Sequence, residues 1–203
     1  MIFTVAIDGP AASGKGTIAK ALARELGFAH LDTGLLYRAV AAKSLEGQDP
    51  VEAAQGLDPG GLDGARLRTA AVAQEASRVA AIPAVRVALL DVQKAFARRE
   101  GGAVMDGRDI GTVICPEAEA KLFVTASAEA RAGRRYRELV AAGQEVTLEG
   151  TLAEVRARDA RDAGRDVAPL RPAGDAVVID TSGLGIEEAV SAALAVVRER
   201  LGR

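Results

Sequence analysis

Apolar positions in this chain come in two kinds of run, short solid ones and longer ones spaced three and four apart, and the two alternate. Ile2 to Ile7 is solid, the pattern of a strand buried on both faces. Gly16 to Leu26 follows with Ile18, Ala21, Leu22 and Leu26 on one helical face, and Gly27 stops it. Phe28 to Leu31 predicts a second short strand, and a helix opens at Asp32-Thr33-Gly34 and runs to about Ser44. Residues 46 to 64 break the alternation, because five glycines, two prolines and five acidic residues predict a loop-rich insertion. Helices are predicted over Arg66 to Ala81 and Pro83 to Arg99, parted at Pro83, whose ring suits a first helical turn. Strands follow at Gly102 to Met105 and Ala120 to Thr125, then charged helices at Ala128 to Ala142 and Leu152 to Ala163. A fifth strand, Ala176 to Ile179, and a closing helix, Ile186 to Leu201, complete the pattern.

This order predicts an α/β fold: a parallel five-stranded sheet flanked by helices on both faces. Ligands of such sheets sit beyond the carboxyl ends of the strands. Three polar motifs fall there: Gly9 to Thr17 after the first strand, Asp32-Thr33-Gly34 after the second, and Asp106 to Asp109 after the third.

The first motif reads Gly9-Pro10-Ala11-Ala12-Ser13-Gly14-Lys15-Gly16-Thr17. A strand, a glycine-rich turn, a lysine and an amphipathic helix in that order make a nest for a triphosphate. All nine residues, Gly9 to Thr17, are candidates to bind the triphosphate, with Lys15 bringing its charge to the β- and γ-phosphates. The general phosphate-loop pattern puts Ser or Thr directly after the lysine. Here Gly16 intervenes and the hydroxyl belongs to Thr17, a form that resembles nucleoside monophosphate kinases more than GTPases.

A phosphate loop predicts a nucleotide, not a reaction, and the arginines carry the rest. Arg38, one turn into the second helix, and Arg108, after the third strand, stand where a second phosphate would lie, and guanidinium groups hold phosphate bidentately. Asp106 ends an apolar strand and is a candidate to hold Mg²⁺ through water alongside Thr17; a turn cap is the plainer alternative. Arg131, Arg134, Arg135 and Arg137, then Arg156, Arg158, Arg161 and Arg165, lie on two helices joined by a loop, Gly143 to Gly150. That arrangement predicts a lid that closes positive charge over a transferring phosphoryl group and keeps water out. A salt-bridged surface hairpin accounts for some of the same residues.

At 203 residues, 49% hydrophobic and 27% charged, the chain suits one globular domain with a small insertion. A net charge of −2 leaves no overall basic field for nucleic acid or a membrane surface. No signal peptide is visible, since Asp8 interrupts the apolar start, and no apolar run approaches a membrane span. The single cysteine, Cys115, lies among Val113, Ile114 and Pro116 and is expected as a packed thiol in a reducing cytoplasm. A monomer is expected.

Together these segments resemble the bacterial cytidylate kinase family. The resemblance is carried by Ile7-Asp8-Gly9-Pro10 through Thr17, Leu31-Asp32-Thr33-Gly34 with Tyr37-Arg38, and Ala76-Ser77-Arg78 through Pro83 with Val85-Arg86. It continues through Asp106-Gly107-Arg108-Asp109-Ile110-Gly111-Thr112, Arg131 with Arg134-Arg135, Arg158-Asp159 with Arg161-Asp162 and Arg165, Ala168-Pro169-Leu170, and Ile179-Asp180-Thr181-Ser182. The resemblance implies ATP as donor, CMP or dCMP as acceptor and Mg²⁺ as cofactor. It implies that Thr33, Arg38 and Arg108 hold the acceptor phosphate, that Ser77, Arg86 and Asp109 read cytosine, and that Arg158 and Asp162 meet the sugar. Catalytic charge is then expected from Lys15, Arg131 and Arg165. Residues 1–44, 100–127 and 168–203 would form the core, 45–99 the acceptor-binding insertion and 128–167 the lid. The family's insertion commonly carries short strands; residues 46 to 64 lack alternation, so that small sheet is expected to be reduced or absent.

A carboxylate at Asp109 suits the reading of cytosine: it accepts a hydrogen bond from the amino group but opposes the carbonyl that uracil carries there. The attacking oxygen in such a transfer is already ionised, so no general base is required, and His30, the single histidine, is expected as a surface or packing residue. A GTP-binding switch would call for an Asn-Lys-x-Asp motif, which the chain lacks. A kinase of another small metabolite would share the phosphate loop and lid and stays open on these residues.

Overall fold

The structure is a computed structural model and describes residues 1–59, 62, 64, 66, 67 and 69–202. Its sheet has five parallel strands in the order β2-β3-β1-β4-β5, with β1 Thr4–Asp8, β2 Ala29–Asp32, β3 Ala103–Gly107, β4 Ala120–Thr125 and β5 Val177–Asp180. In the register, Ile7 of β1 stands opposite Asp106 on one side and Leu122 on the other. From β1 the chain goes out to β2, returns to β3 beside β1, and only then crosses to β4. The direction of winding therefore changes between β1 and β3, and a crevice opens there at their carboxyl ends. β1 begins two residues later than predicted and takes in Asp8; Ile2, ahead of it, is exposed.

Side chains alternate across the sheet, as a period of two requires. Val5 and Ile7 pack with Val104, Leu122 and Val124 against α1 (Lys15–Leu26) and α8 (Ile186–Leu201). Thr4 and Ala6 face the other way: Ala6 packs with Met105, Ile114 and the buried Cys115, and the Thr4 hydroxyl donates to the Ala97 carbonyl. Ile7, Leu22 and Leu122 are almost completely buried, and each such side chain contributes about 1.5–3 kcal/mol.

Residues 33 to 97 hold α2 (Thr33–Leu45), α3 (Pro50–Gln55), α4 (Ala70–Val79) and α5 (Pro83–Ala97), which share an apolar cluster of their own. Leu36, Val40, Ala53, Val72, Val79, Val85 and Leu89 meet in it. The stretch read as loop contains α3, started by Pro50 and capped by Asp49, whose carboxylate accepts from Val51 N at 2.8 Å and Glu52 N at 3.1 Å. No described residue between 46 and 64 is in a strand; Gly60, Gly61 and Asp63 lie outside the described residues. α4 starts at Ala70 rather than Arg66, because the Thr69 hydroxyl takes the Val72 amide and holds Thr69 extended; Arg68, within the predicted helix, also lies outside the described residues.

α6 (Ala128–Ala141) and α7 (Leu148–Ala163) form a hairpin beyond β4. α7 starts earlier than the predicted Leu152: Thr147 caps it by accepting from Gly150 N at 3.0 Å, so Gly150 lies in the first turn instead of the loop. Between β3 and β4 a single π-turn, Ile110–Ile114, bends the chain under the crevice. Among the described residues no helix is long and apolar enough to cross a membrane.

Candidate active site

The loop after β1 is shaped by backbone. Gly9 passes so close to β4 that a Cβ there would stand 2.0 Å from the Val124 carbonyl oxygen, so no other residue fits. Gly14, at φ 91°, caps α1 in the left-handed region, with Ala12 also left-handed at φ 59°. Alternation of this kind turns amide groups into one concavity, and the α1 N-terminus adds its partial positive charge. The Thr181 hydroxyl after β5 donates to the Ser13 carbonyl at 2.8 Å and pins the loop from outside.

Lys15 leans back along the loop, its Nζ 3.4 Å from the Pro10 carbonyl. Burial pushes its ammonium down to about 7, Arg108 repels it further, and Asp106 and Asp32 pull the other way. Lys15, Arg108 and Arg158 thus crowd positive charge at this end of the cleft, which favours an anion there.

Asp106 ends β3 on the face toward α1. A Cβ on Gly16 would lie 3.6 Å from its Oδ2, an ordinary van der Waals contact, so sterics alone do not require the glycine between lysine and threonine. His30 Nε2 lies 2.8 Å from Asp106 Oδ1, so the single histidine, expected as a surface or packing residue, packs against the carboxylate at the loop. Parity on β2 places it there, on the opposite face from Leu31. Among the described residues no three His, Cys, Asp or Glu side chains form a metal cage. Asp106 lines the cleft, whereas the exposed Thr17 does not.

A cleft of about 590 Å³ runs from this loop to the end of β3 and on to α4 and α5. At its far end Arg86 and Asp109, both buried, form an ion pair, and the Arg86 guanidinium also sits 5.9 Å from the centre of the Tyr37 ring. Burial pushes the Asp109 carboxyl up, and Arg86 restrains the shift. The buried Ser77 hydroxyl, which has no hydrogen-bond partner among the described residues, lines the same cleft.

Between the two ends stand Thr33, Arg38 and Arg108. The Thr33 hydroxyl donates to the Asp106 carbonyl at 2.9 Å, and Arg38 donates to the Leu67 carbonyl at 3.0 Å. Arg108 Nε binds Asp162 Oδ2 at 2.9 Å. Asp162, almost fully buried on α7, also takes Arg165 at 2.5 Å and lies 3.9 Å from Arg158 Nε. Burial alone would raise its carboxyl; the surrounding arginines, Arg108 foremost, hold it below the ordinary range. Burial and the nearby Arg108 bring Arg158 down to about 9, still charged at neutral pH.

Lys15, Arg38, Ser77, Arg86, Arg108, Asp109, Arg158, Asp162 and Arg165 all line the cleft, as do Ala11, Ala12, Gly16, Thr33 and Asp106. Arg131 is not brought to its wall. It is buried beneath the hairpin, its guanidinium on Asp159 at 2.5 and 2.9 Å and on the Ala11 carbonyl at 3.3 Å. Arg134 likewise reaches Thr181, at 3.0 Å to Oγ1 and 2.5 Å to the carbonyl. Arg135 lines the cleft in their stead. Sequence reasoning gave Asp8, His30 and Asp159 no role in the site; what marks them is long-range pairing, which only parity on β1 and β2 hinted at.

Comparison with known proteins gives one consistent answer. The family model for cytidylate kinase matches residues 5–58 and 61–199. A protein named cytidylate kinase from Cereibacter sphaeroides is 62% identical, covering 98% of this chain and 97% of its own. Another so named, from Xanthobacter autotrophicus, is 59% identical over 97% of each chain. Among solved structures, a gluconokinase from Sinorhizobium meliloti aligns with a TM-score of 0.52 over 99% of this chain and 95% of its own, at 16% identity. An uncharacterized protein from Eubacterium ventriosum aligns at 0.59 over 99% of each chain, at 15% identity. At such identities these last two likenesses speak for the fold alone.

Proposed function

The chain belongs to the cytidylate kinase family, and from that premise we propose that it transfers the γ-phosphoryl group of ATP to CMP or dCMP, giving ADP and the corresponding diphosphate. The observation that carries the reading is the cleft itself. It has a triphosphate nest with Lys15 at one end and a buried Arg86–Asp109 pair with an orphan Ser77 hydroxyl at the other, with arginines between.

A phosphate oxygen of the acceptor attacks the γ-phosphorus; the bond from that phosphorus to the β,γ-bridging oxygen breaks, and its electron pair leaves with ADP. The attacking oxygen is already ionised, so no side chain has to remove a proton. Lys15 neutralises charge on the β- and γ-phosphates, Arg38 and Arg108 orient the acceptor phosphate, and Arg158 and Arg165 supply positive charge from above. Thr17 and Asp106 would hold a Mg²⁺ ion, which would supply positive charge to offset that of the phosphates. Asp109 and Ser77 read the amino edge of cytosine, with Arg86 holding Asp109 in place. Asp162 is released to the sugar when the acceptor phosphate takes over Arg108.

In this reading residues 45–99 form the acceptor-binding part and 128–167 a lid whose closure excludes water, so that ATP is not hydrolysed. Arg131 supports the lid through Asp159 and the loop through Ala11, a bracing task that leaves contact with the phosphoryl group to its neighbours. The working unit is taken as a cytoplasmic monomer. A coupled assay with ATP and CMP, dCMP, UMP, AMP and shikimate tests the whole: turnover of CMP or dCMP far above the rest is expected. Preference for shikimate or AMP would overturn it.

A further inference from the structure

Asp8 closes β1 and belongs to neither end of the cleft. Thr4 and Ala6 face the layer of α5 and the π-turn, and period two turns Asp8 the same way. It is buried, at 4% exposure, and each carboxylate oxygen accepts one backbone amide: Ile110 N to Oδ1 at 2.7 Å and Gly111 N to Oδ2 at 2.8 Å. Those amides open the π-turn that begins directly after Asp109. The first amides of any helical turn lack partners within it, and an Asp at the preceding position ordinarily supplies one with its own side chain. Asp109 holds that position yet makes no such bond; its carboxylate is turned to Arg86. The space is tight, since a Cβ on Gly111 would stand 3.5 Å from Asp8 Oδ2 and 3.2 Å from the Lys121 side chain. Burial pushes the Asp8 carboxyl up to about 7, against the pull of the two amides.

We propose that Asp8 is a positioning residue for acceptor specificity: by capping the π-turn from another strand, it frees Asp109 to face the cleft with Arg86. The inference rests on the reading of Asp109 given above. Without the cap, the two amides recruit the nearest carboxylate, which is Asp109, and the base-reading group rotates away from the ligand.

The test compares Asp8→Asn and Asp8→Ser with Asp109→Asn in steady-state kinetics. The Asp8 variants are expected to raise the KM for CMP about tenfold and narrow the CMP-over-UMP preference by a similar factor, while the KM for ATP moves less than about threefold. Equal movement of both KM values, as a merely structural role would give, overturns the proposal. So does an unchanged preference in the Asp8 variants when Asp109→Asn abolishes it. Should Asp109→Asn itself keep the wild-type preference, the base reading fails, and the purpose of the cap with it. Hydrogen exchange on the wild-type protein needs no variant: the Ile110 and Gly111 amides are expected to exchange as slowly as those of β1, and fast exchange there overturns the cap.

Discussion

The two ends of the cleft are built from different materials. The loop after β1 is made of backbone: left-handed positions at Ala12 and Gly14, a glycine at position 9 wedged against the Val124 carbonyl, and a helix terminus. The rest of the cleft is made of long side chains from separate elements that pair with one another, Arg86 with Asp109 at the far end and Arg108 with Asp162 between the ends. The first is preorganised by local conformation. The second is held by ion pairs between side chains of separate elements. A nest suits a donor common to many enzymes, and a pairing network suits an acceptor that has to be distinguished from its near relatives.

The sharpest way to break this contrast is at Lys15, the long side chain that the nest carries itself. Lys15→Met is expected to lower kcat about 10²- to 10³-fold, as loss of one preorganised electrostatic group does. A variant within threefold of wild type would remove the lysine from the chemistry. Between the ends, Arg108→Ala is expected to raise the KM for CMP by about tenfold or more and leave that for ATP nearly unchanged, since one charge-assisted phosphate contact is lost. The reverse split would assign Arg108 to the donor.

The smallest effect is in pH. In the ligand-free protein Lys15 is charged below about 7 and loses its proton above it. Bound phosphates favour the charged form, so ATP binding above pH 7 takes up a proton. Affinity for ATP should therefore fall with rising pH, by at most about tenfold per unit. Calorimetry at pH 8 in two buffers of different ionisation enthalpy should show the uptake in wild type, and Lys15→Met should lack it. No proton uptake in wild type would show that the lysine is already charged in the free protein.

Much of the fold was legible because strand and helix periods are local properties. The five parallel strands and most helices follow from apolar spacing, with ends displaced where caps decide them, as Thr147 moves the start of α7. α3 was missed because six residues are too few for a period and its stability comes from the Asp49 cap and the shared cluster with α2 and α5. At the site, Lys15, Arg38, Ser77, Arg86, Arg108 and Asp109 do line one cleft. The pairing of Asp8 with the π-turn and of His30 with Asp106 was not legible, for these groups lie 102 and 76 residues apart.

By itself the sequence determined the nest, since glycine conformation, a lysine and a helix start are contiguous along the chain. It also determined which residue types crowd the strand ends. Tertiary structure decided which arginine meets which carboxylate: Arg131 goes to Asp159 beneath the hairpin and Arg108 to Asp162 across the cleft. The reason is physical. Backbone conformation is set by neighbours in the chain, whereas a buried charge is tolerated only beside its counter-charge, and where that partner stands is known only once the strands and helices are packed.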